Sequence, residues 1–391
     1  MDFRDKEEDA QFRSTLRQWL VETVPQMGSA PDKLESRVEW WRPWQKRLHT
    51  AGYSGLSWPK EFGGQSKGAI QQAIFYEECD LADAPERLDV IATGFAGPTI
   101  IEYGTSEQKK RFLDPILSGD ELWCQLFSEP GAGSDLAALK AKAVRDEEAG
   151  GWRIYGQKVW TSGAQISDFA ILLARTSDAP KHKGISYFIL PMRQEGVTVK
   201  PLKQMLGYAG FNEVFLDGAF VPDNLLVGEL NKGWRVAMST LGYERATIAT
   251  GRVNTLRLIK DLISLVNDTR GRNGRPLSQD PKVRSIVSGF YSRVILQRLT
   301  GKRILAGLEK GSPGPEASTA KLFSTPLVEE ICDYALSILG MEGQLESFDQ
   351  PTSQTKWLRL AYQARGTSIA GGTTFIQRNI LAERVLGLPR G

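Results

Sequence analysis

The spacing of apolar residues changes twice along this chain of 391 residues, and that change constrains its fold more than any other feature. Before Trp123, apolar side chains recur at helical intervals. From Trp123 to about residue 232, the apolar runs are short, β-branched or aromatic, and Gly, Pro, Asp and Asn separate them. From Gly233 to Ala382 the helical interval returns. The sequence therefore predicts a helical region, a strand region and a second helical region.

The strand region contains several predicted strands, and the segments between them are too short for crossover helices. Antiparallel pairing is therefore expected. In the second helical region we predict breaks where Gly and Pro accumulate, at 270–279 and 311–315. The predicted strands are 152–156, 168–175, 184–191, 197–202 and 212–221. The predicted domains are 1–122 (helical), 123–235 (β) and 236–391 (helical).

Composition excludes several classes of function. A net charge of +3 is small for this length and gives no reason to expect a nucleic-acid partner. The charged first residues do not resemble a signal peptide, and no stretch approaches the ~20 apolar residues of a membrane span, so membrane insertion is not expected. The 3 cysteines form no CxxC pair, which favours a reducing compartment, and the cytoplasm is predicted. With only 2 histidines, a multi-histidine metal site is not expected.

A polar, glycine-rich loop begins the strand region and reads Ser-Glu-Pro-Gly-Ala-Gly-Ser-Asp over residues 128–135. It lacks the parallel strand before it and the acidic partner after it that a dinucleotide fingerprint requires. It also lacks the GK[ST] of a Walker loop. Taken alone, the segment is more typical of a tight turn that initiates a sheet.

Together with two later segments, however, this loop resembles the acyl-CoA dehydrogenase family. The later segments are Lys-Val-Trp-Thr-Ser at 158–162 and the tail Ile-Gln-Arg-Asn-Ile-Leu-Ala-Glu-Arg-Val-Leu-Gly-Leu-Pro-Arg at 376–390. The resemblance implies an N-terminal all-α domain, a middle antiparallel β-domain and a C-terminal four-helix bundle. It also implies FAD-dependent removal of hydrogens from the α and β carbons of an acyl-CoA thioester, which gives a trans-2-enoyl-CoA.

The resemblance further implies a set of FAD contacts. The predicted contacts are Gln125, Phe127 and Ser128 along the flavin ring, Trp160 and Ser162 on its other side, Arg270 and Gly340 from a neighbouring subunit, and Thr373 and Phe375 in the tail. The chain departs from the family pattern where Asn273 replaces a phenylalanine and Ser337 replaces a glutamine. Phe375 also stands in a place usually held by Glu or Gln.

The catalytic base is predicted at Glu244. Many members of the family carry their catalytic glutamate where this chain has Gly371, which cannot take a proton. In isovaleryl-CoA and long-chain members the glutamate lies on another helix in a Leu-Glu-Arg context, which resembles Tyr243-Glu244-Arg245 here. Burial in an acyl pocket would raise the pKa of such a carboxyl toward that of a general base. The substrate contacts predicted with it are Ser134, Tyr243 and Arg245.

Purely structural alternatives stay open for three of these residues. Arg245 could belong to a structural ion pair. Glu244 could be an ion-paired residue on a solvent-facing helix. Ser134 could be a turn or N-cap serine.

Three functions are compatible with this pattern. The leading one is an acyl-CoA dehydrogenase that passes electrons to electron-transfer flavoprotein, as a homotetramer or as a heterotetramer with a related subunit. The second is a non-catalytic partner subunit of a mixed assembly, which Asn273, Ser337 and Phe375 favour. The third is a flavin oxidase or monooxygenase on the same fold. Acyl specificity does not follow from the sequence, although Gly371 and Gly372 leave room for a bulky chain.

Overall fold

The structure is a computed structural model. It describes residues 4–31, 33–205, 207, 209–249, 255–308, 317–345 and 355–389, without the side chains of 245–249, 308 and 317. The chain divides into two compact units. The sheet unit comprises Gln26–Lys67 and Pro85–Glu244, and the helical unit comprises Met1–Pro25, Gly68–Ala84 and Arg245–Gly391. Each unit has its own core.

The helices and strands follow the predicted order along the chain. The helices are α1 Glu7–Thr23, α2 Leu34–Thr50, α3 Ala69–Leu81, α4 Gly97–Tyr103, α5 Ser106–Ser118, α6 Gly233–Ala249, α7 Thr255–Asp268, α8 Pro281–Leu308, α9 Ala317–Leu339, α10 Thr355–Ile369 and α11 Thr374–Ile380. The strands are β1 Trp123–Leu126, β2 Lys142–Asp146, β3 Gly151–Ser162, β4 Phe169–Arg175, β5 Ile185–Pro191, β6 Val197–Leu202, β7 Phe211–Pro222 and β8 Leu226–Val227.

The strands form one sheet in the order β6-β7-β3-β2-β4-β5-β8, and β1 pairs with β4. Most neighbours are antiparallel, but β1 runs parallel to β4, with Trp123 opposite Phe169, and β2 also touches β4 in parallel. The prediction of a purely antiparallel domain was therefore wrong in this detail. The β2–β3 hairpin lies between β1 and β4 in the chain and makes the parallel return without a crossover helix.

Strands β4 and β5 are buried on both faces. Along β4, Ile171 and Leu173 belong to a core shared with α4 and α5, whereas Ala170 and Leu172 belong to a second core on the other face of the sheet. This alternation is the period of an extended chain. Because both faces are covered, these strands read as continuous apolar runs, which is why the sequence predicts them well.

The helical unit has a core to which α7, α8, α9 and α10 all contribute, for example through Leu262, Phe290, Ile331 and Trp357. The predicted break at 270–279 is confirmed, since α7 ends at Asp268 and Arg270 then pairs with Pro276 in an isolated bridge. The predicted break at 311–315 lies outside the described residues. No helix in the described part of the chain is both long and apolar enough to cross a bilayer.

An ion-pair cluster joins α1, α3 and α8 within this unit. The Glu78 carboxylate, 2% exposed, accepts hydrogen bonds from Arg13 (2.8 Å) and Arg17 (2.8 Å). Arg298 of α8 pairs with the neighbouring Glu77. Buried charge therefore joins α1 to α3, and the partly exposed Arg298–Glu77 pair joins α3 to α8.

Candidate functional site

The loop at 128–135 and the end of β3 meet in the sheet unit. The backbone N–H of Val159 donates to the carbonyl of Ser128 over 3.0 Å. The fully buried Lys158 reaches the same loop, and its Nζ donates to the Phe127 carbonyl (3.1 Å) and to Glu129 Oε1 (2.8 Å). Two motifs that are separate in the sequence therefore form one local structure.

The end of β3 presents an aromatic ring to solvent. Lys158 lies opposite Val214 and Thr161 opposite Asn212, so β3 carries one extra residue against β7, which is a β-bulge. Within the bulge Trp160 has φ +61° and is 62% exposed. A left-handed, exposed tryptophan is uncommon and costs of order 1–3 kcal/mol, and such strain concentrates at functional sites.

The predicted flavin contacts of the sheet unit fit a flat ring with polar edges. Ser162 is exposed beside Trp160, and Gln125 and Ser128 are half-buried. The ring of Phe127 is buried edge-on against Tyr187, with 5.8 Å between centroids, so this residue can offer only its backbone. An exposed indole beside two hydroxyl groups suits an isoalloxazine ring, which stacks on one face and accepts hydrogen bonds at its edge.

Ser134 is exposed on the same loop. The short turn of helix that follows begins after Asp135, so Ser134 is not its N-cap. Gly131 and Gly133, on either side of Ala132, have open space where a side chain would stand. The outer surface of the loop is therefore accessible to a ligand.

A chain of hydroxyl groups anchors α6, which carries Glu244. Thr240 Oγ1 lies 2.8 Å from Thr99 Oγ1 of α4 and 3.2 Å from the Tyr187 hydroxyl of β5, and all three residues are fully buried. One residue earlier, Ser239 Oγ lies 2.7 Å from the hydroxyl of Tyr103. These contacts fix the helix in the sheet unit up to the turn that ends at Glu244, which is itself partly buried.

Tyr243, predicted to contact the substrate, donates its hydroxyl hydrogen to Glu102 of α4. Burial raises the pKa of Tyr243, and the Glu102 carboxylate raises it further, so the phenol stays neutral and acts as a donor. The side chain of Arg245 lies outside the described residues. Sequence reasoning missed Glu102 because nothing in α4 alone indicates a contact with a residue 141 positions away.

The other predicted contacts lie in the helical unit. Arg270 is exposed beside its bridge to Pro276, and Gly340 has φ +57° at the end of α9. Thr373 caps α11 by accepting a hydrogen bond from the backbone N–H of Ile376 over 3.4 Å. Phe375 is 73% exposed.

The turn before Thr373 is held by side chains. Gly371 and Gly372 have φ +66° and +91°, a left-handed backbone that disfavours residues with a Cβ. Gln377 Nε2 donates to the Gly371 carbonyl over 3.0 Å, and the buried Lys321 donates to the carbonyls of Ala370 and Gly372. The role of Lys321 could not be predicted, because it lies about fifty residues from the turn.

Among the residues that the structure describes, no group of three or more His, Cys, Asp or Glu side chains could hold a metal ion. Cys79, Cys124 and Cys332 form no disulfide among the described residues. The donors of the site are therefore hydroxyl, amide and indole groups, with Glu244 as a carboxylate at the end of the anchored part of α6.

A helical–β–helical chain with these loops defines an acyl-CoA dehydrogenase, and comparison with known proteins gives the same class. The family models described as "Acyl-CoA dehydrogenase, N-terminal domain", "middle domain" and "C-terminal domain" match residues 6–120, 124–219 and 231–386. The chain belongs to the acyl-CoA dehydrogenase family. The predicted family and the order of helical, β and helical domains are thus confirmed.

Individual relatives narrow the comparison. The chain is 38% identical over 399 residues to "Acyl-CoA dehydrogenase IpdE1" of Mycolicibacterium smegmatis, covering 97% of this chain and 98% of the relative. The Mycobacterium tuberculosis protein of the same name is 37% identical over 391 residues, with the same coverage. Among solved structures, "Tcur3481-Tcur3483 steroid ACAD" superposes with a TM-score of 0.87 at 30% identity, and each chain is covered completely.

The ChsE4–ChsE5 complex from Mycobacterium tuberculosis superposes with a TM-score of 0.86 at 29% identity, again over the whole of both chains. Heteromeric acyl-CoA dehydrogenase complexes therefore occur among the structural relatives. The chain is an FAD-dependent oxidoreductase of the acyl-CoA dehydrogenase type.

Proposed function

We propose that Glu244 is the base that removes the α-proton of the acyl-CoA substrate. The observation that carries the proposal is the anchoring of α6, whose buried Thr240 is bound to α4 and β5 one turn before Glu244. A general base must be held at a fixed place to act on a weakly acidic C–H. The tail position used by many relatives is filled by Gly371, whose left-handed backbone would strain a glutamate.

The flavin contacts are proposed on the same basis. Bound FAD supplies the acceptor for the β-hydride. Ser128 and the backbone of Phe127 bind the polar edge of the ring, while the exposed indole of Trp160 and the hydroxyl of Ser162 cover one face. Thr373 at the start of α11 and Phe375 are proposed as further FAD contacts in the tail. Arg270 and Gly340 would contact FAD from a neighbouring subunit, with the Arg270 guanidinium suited to the pyrophosphate.

Substrate contacts are proposed for Ser134, Arg245 and Tyr243. Ser134 is exposed on the loop, so its hydroxyl is available to the CoA moiety. Tyr243 holds its hydroxyl on Glu102, so its part in binding the substrate is through the ring. Glu244 would take the α-proton, and bound FAD would supply the acceptor for the β-hydrogen, so that the C–C single bond becomes a trans double bond.

Glu244→Gln tests the base. The amide keeps the size of the side chain but cannot take a proton, so we expect flavin reduction in anaerobic stopped-flow experiments to slow by about 10²–10⁴-fold, with unchanged FAD content. Glu229→Gln is the matched control, because Glu229 is 72% exposed and pairs only with nearby Lys232 in a surface contact. Full activity in Glu244→Gln would refute the assignment.

For the substrate, we propose a CoA ester with a bulky acyl group of the steroid type. The similarity to the structure described as "steroid ACAD" supports this class. Initial rates on short, branched, long-chain and steroid CoA esters test it. A preference for short linear esters would contradict the proposal.

For the assembly, we propose an oligomer in which a neighbouring chain, either a copy or a related subunit, helps to complete each FAD site, with electron-transfer flavoprotein as the acceptor. Large apolar side chains are exposed in the C-terminal part of the helical unit, which favours a covering partner. They are Met341, Leu345, Ile369, Phe375, Leu386 and Leu388.

A second candidate function is a non-catalytic partner subunit, which the exposed Phe375 at a cofactor position favours. Under the leading function, the chain purified alone should be a yellow homotetramer whose flavin is reduced by acyl-CoA. The partner-subunit function predicts a chain with little FAD and no activity until its related subunit is added. Mass photometry and the flavin absorbance of the purified protein separate the two.

A further inference from the structure

One buried ion pair joins the two segments that are proposed to contact the flavin from the sheet unit. Lys158 lies on β3 two residues before Trp160, and its ammonium group binds both the Glu129 carboxylate and the Phe127 carbonyl. The chain between these partners is long, since Lys158 and Glu129 are 29 positions apart. The pair is therefore a tertiary cross-link behind the exposed surface of Ser128 and Trp160.

Both oxygens of the Glu129 carboxylate accept hydrogen bonds. Besides Lys158, it accepts the backbone N–H groups of Lys140 (2.6 Å) and Ala141 (2.9 Å). The backbone of Glu129 exchanges two hydrogen bonds with Ala132, at 3.1 and 3.0 Å. Glu129 at the start of the loop is therefore bound both to the turn at Ala132 and to the chain after the loop at Lys140 and Ala141.

We infer that Lys158 and Glu129 are positioning residues for the flavin, which fix the segment 127–128 against the bulge of β3 so that Ser128, Trp160 and Ser162 keep one relative geometry. The inference rests on the proposed flavin contacts. Neither residue touches the ring, since both are buried, and they act through the backbone and side chains that do.

Stability alone does not account for this pair. A buried ion pair is often no more stabilising than apolar side chains of the same size, because both charges lose their hydration. Burial lowers the pKa of Lys158, although Glu129 opposes that effect, so the ammonium is held at a cost. What an apolar pair could not supply is the simultaneous binding of one carbonyl and two N–H groups of the loop.

The test uses the double variant Lys158→Met/Glu129→Gln in the full chain. Removing both charges together avoids a stranded buried carboxylate, which could prevent folding in Lys158→Met alone. FAD is titrated into the apoprotein, and binding is followed by flavin fluorescence. The visible circular dichroism of the bound flavin is recorded, and thermal unfolding of the apoprotein is measured separately. We expect an apoprotein with nearly the parental Tm, an FAD Kd raised about tenfold or more, and an altered flavin dichroism.

Arg153→Met is the matched control. Arg153 is also a cation on β3 and pairs with Asp146 at 2.9 Å, but its side chain is 43% exposed, and its loss should leave FAD affinity and dichroism unchanged. An FAD Kd within about threefold of the parent in the double variant, or a loss of FAD that follows the loss of folded apoprotein, would overturn the inference. Parental protein that binds no FAD would overturn the proposed flavin site as well, so the two failures are distinguishable.

Discussion

The hydroxyl chain beneath Glu244 gives a prediction whose size follows from the structure. Tyr187, Thr240 and Thr99 are all fully buried, and Thr99 Oγ1 lies 2.8 Å from the Phe95 carbonyl. In one arrangement of the protons, Tyr187 donates to Thr240, Thr240 to Thr99, and Thr99 to the Phe95 carbonyl. Thr240 can instead donate to the Val236 carbonyl over 3.0 Å. Burial raises the pKa of Tyr187, so its hydroxyl is present as a donor.

Thr240→Val keeps the shape of the side chain and removes its oxygen. The Tyr187 hydroxyl is then a buried donor without its acceptor, which costs about 1–3 kcal/mol, and the bond to Thr99 adds about 1 kcal/mol. Tyr187→Phe alone removes one hydrogen bond and should cost about 1 kcal/mol. The double variant no longer contains the stranded hydroxyl, so it should be more stable than Thr240→Val by about 1–2 kcal/mol.

Urea unfolding of the parent, the two single variants and the double variant measures these differences. Steady-state assays add a functional reading, because a loosened α6 should lower kcat through Glu244 more than it changes KM. Two results would refute the reasoning. One is a Thr240→Val variant within about 0.5 kcal/mol of the parent. The other is a double variant destabilised by the full sum of the single variants, which would mean that the two hydroxyls do not interact.

Two further predictions concern the packing of each unit. Gly97→Ala would place its Cβ 1.9 Å from the buried ring of Trp58, so we expect the free energy of unfolding to fall by about 3 kcal/mol. Gly289→Ala on the exposed face of α8 meets nothing within 4 Å and should raise the free energy of unfolding by about 0.5–1 kcal/mol. Thermal unfolding of the two variants checks this contrast, and equal effects would contradict it. Burial raises the pKa of Glu78, but the hydrogen bonds from its two arginines outweigh this effect and hold the pKa below the usual 4.5. The ionised group therefore contributes stability above about pH 4.5, and this stability is lost as the pH falls through the lower pKa of the folded state. Glu78→Gln should be less stable than the parent by about 1–3 kcal/mol at neutral pH, and a difference that did not shrink in acid would count against this account.

The elements that the sequence predicts well are those whose own residues determine them. The strands predicted at 168–175 and 184–191 are β4 and β5 almost to the residue, because their apolar runs are buried on both faces and bounded by turn residues. Strand β1 was missed. It has four residues and takes its direction from β4, a partner that lies far along the chain.

Helix α4 was missed for a different reason. The segment 92–103 contains two glycines and a proline, which normally indicate a loop, yet it forms a π-helical turn followed by α4. Gly97 is required there because the Trp58 ring lies against it, and the Trp58 indole N–H donates to the Thr93 carbonyl over 2.9 Å. A contact from a distant part of the chain thus determines a local conformation.

In the candidate site, too, some features follow from the local sequence and others depend on contacts with distant parts of the chain. Residue types at the motif positions lead to the predicted flavin contacts Trp160, Ser162 and Ser128, because the resemblance to the family rests on those positions. Lys158 behind that surface, and Lys321 at the tail turn of the helical unit, hold backbone carbonyls. Nothing in their local sequence indicates which carbonyls they will reach. Their partners depend on how loops return to the sheet or helix, which requires the folded structure.

The proposed position of the base depends on two segments, the tail turn at Gly371 and helix α6. The turn at Gly371 and Gly372 is left-handed, and Lys321 and Gln377 bind its carbonyls, so the tail is built as a closed turn that leads into the Thr373 cap. A glutamate at position 371 would need a backbone that this turn does not offer without strain. Under the proposal that Glu244 is the base, the carboxylate for the α-proton lies on α6, which buried hydroxyl bonds anchor one turn before it.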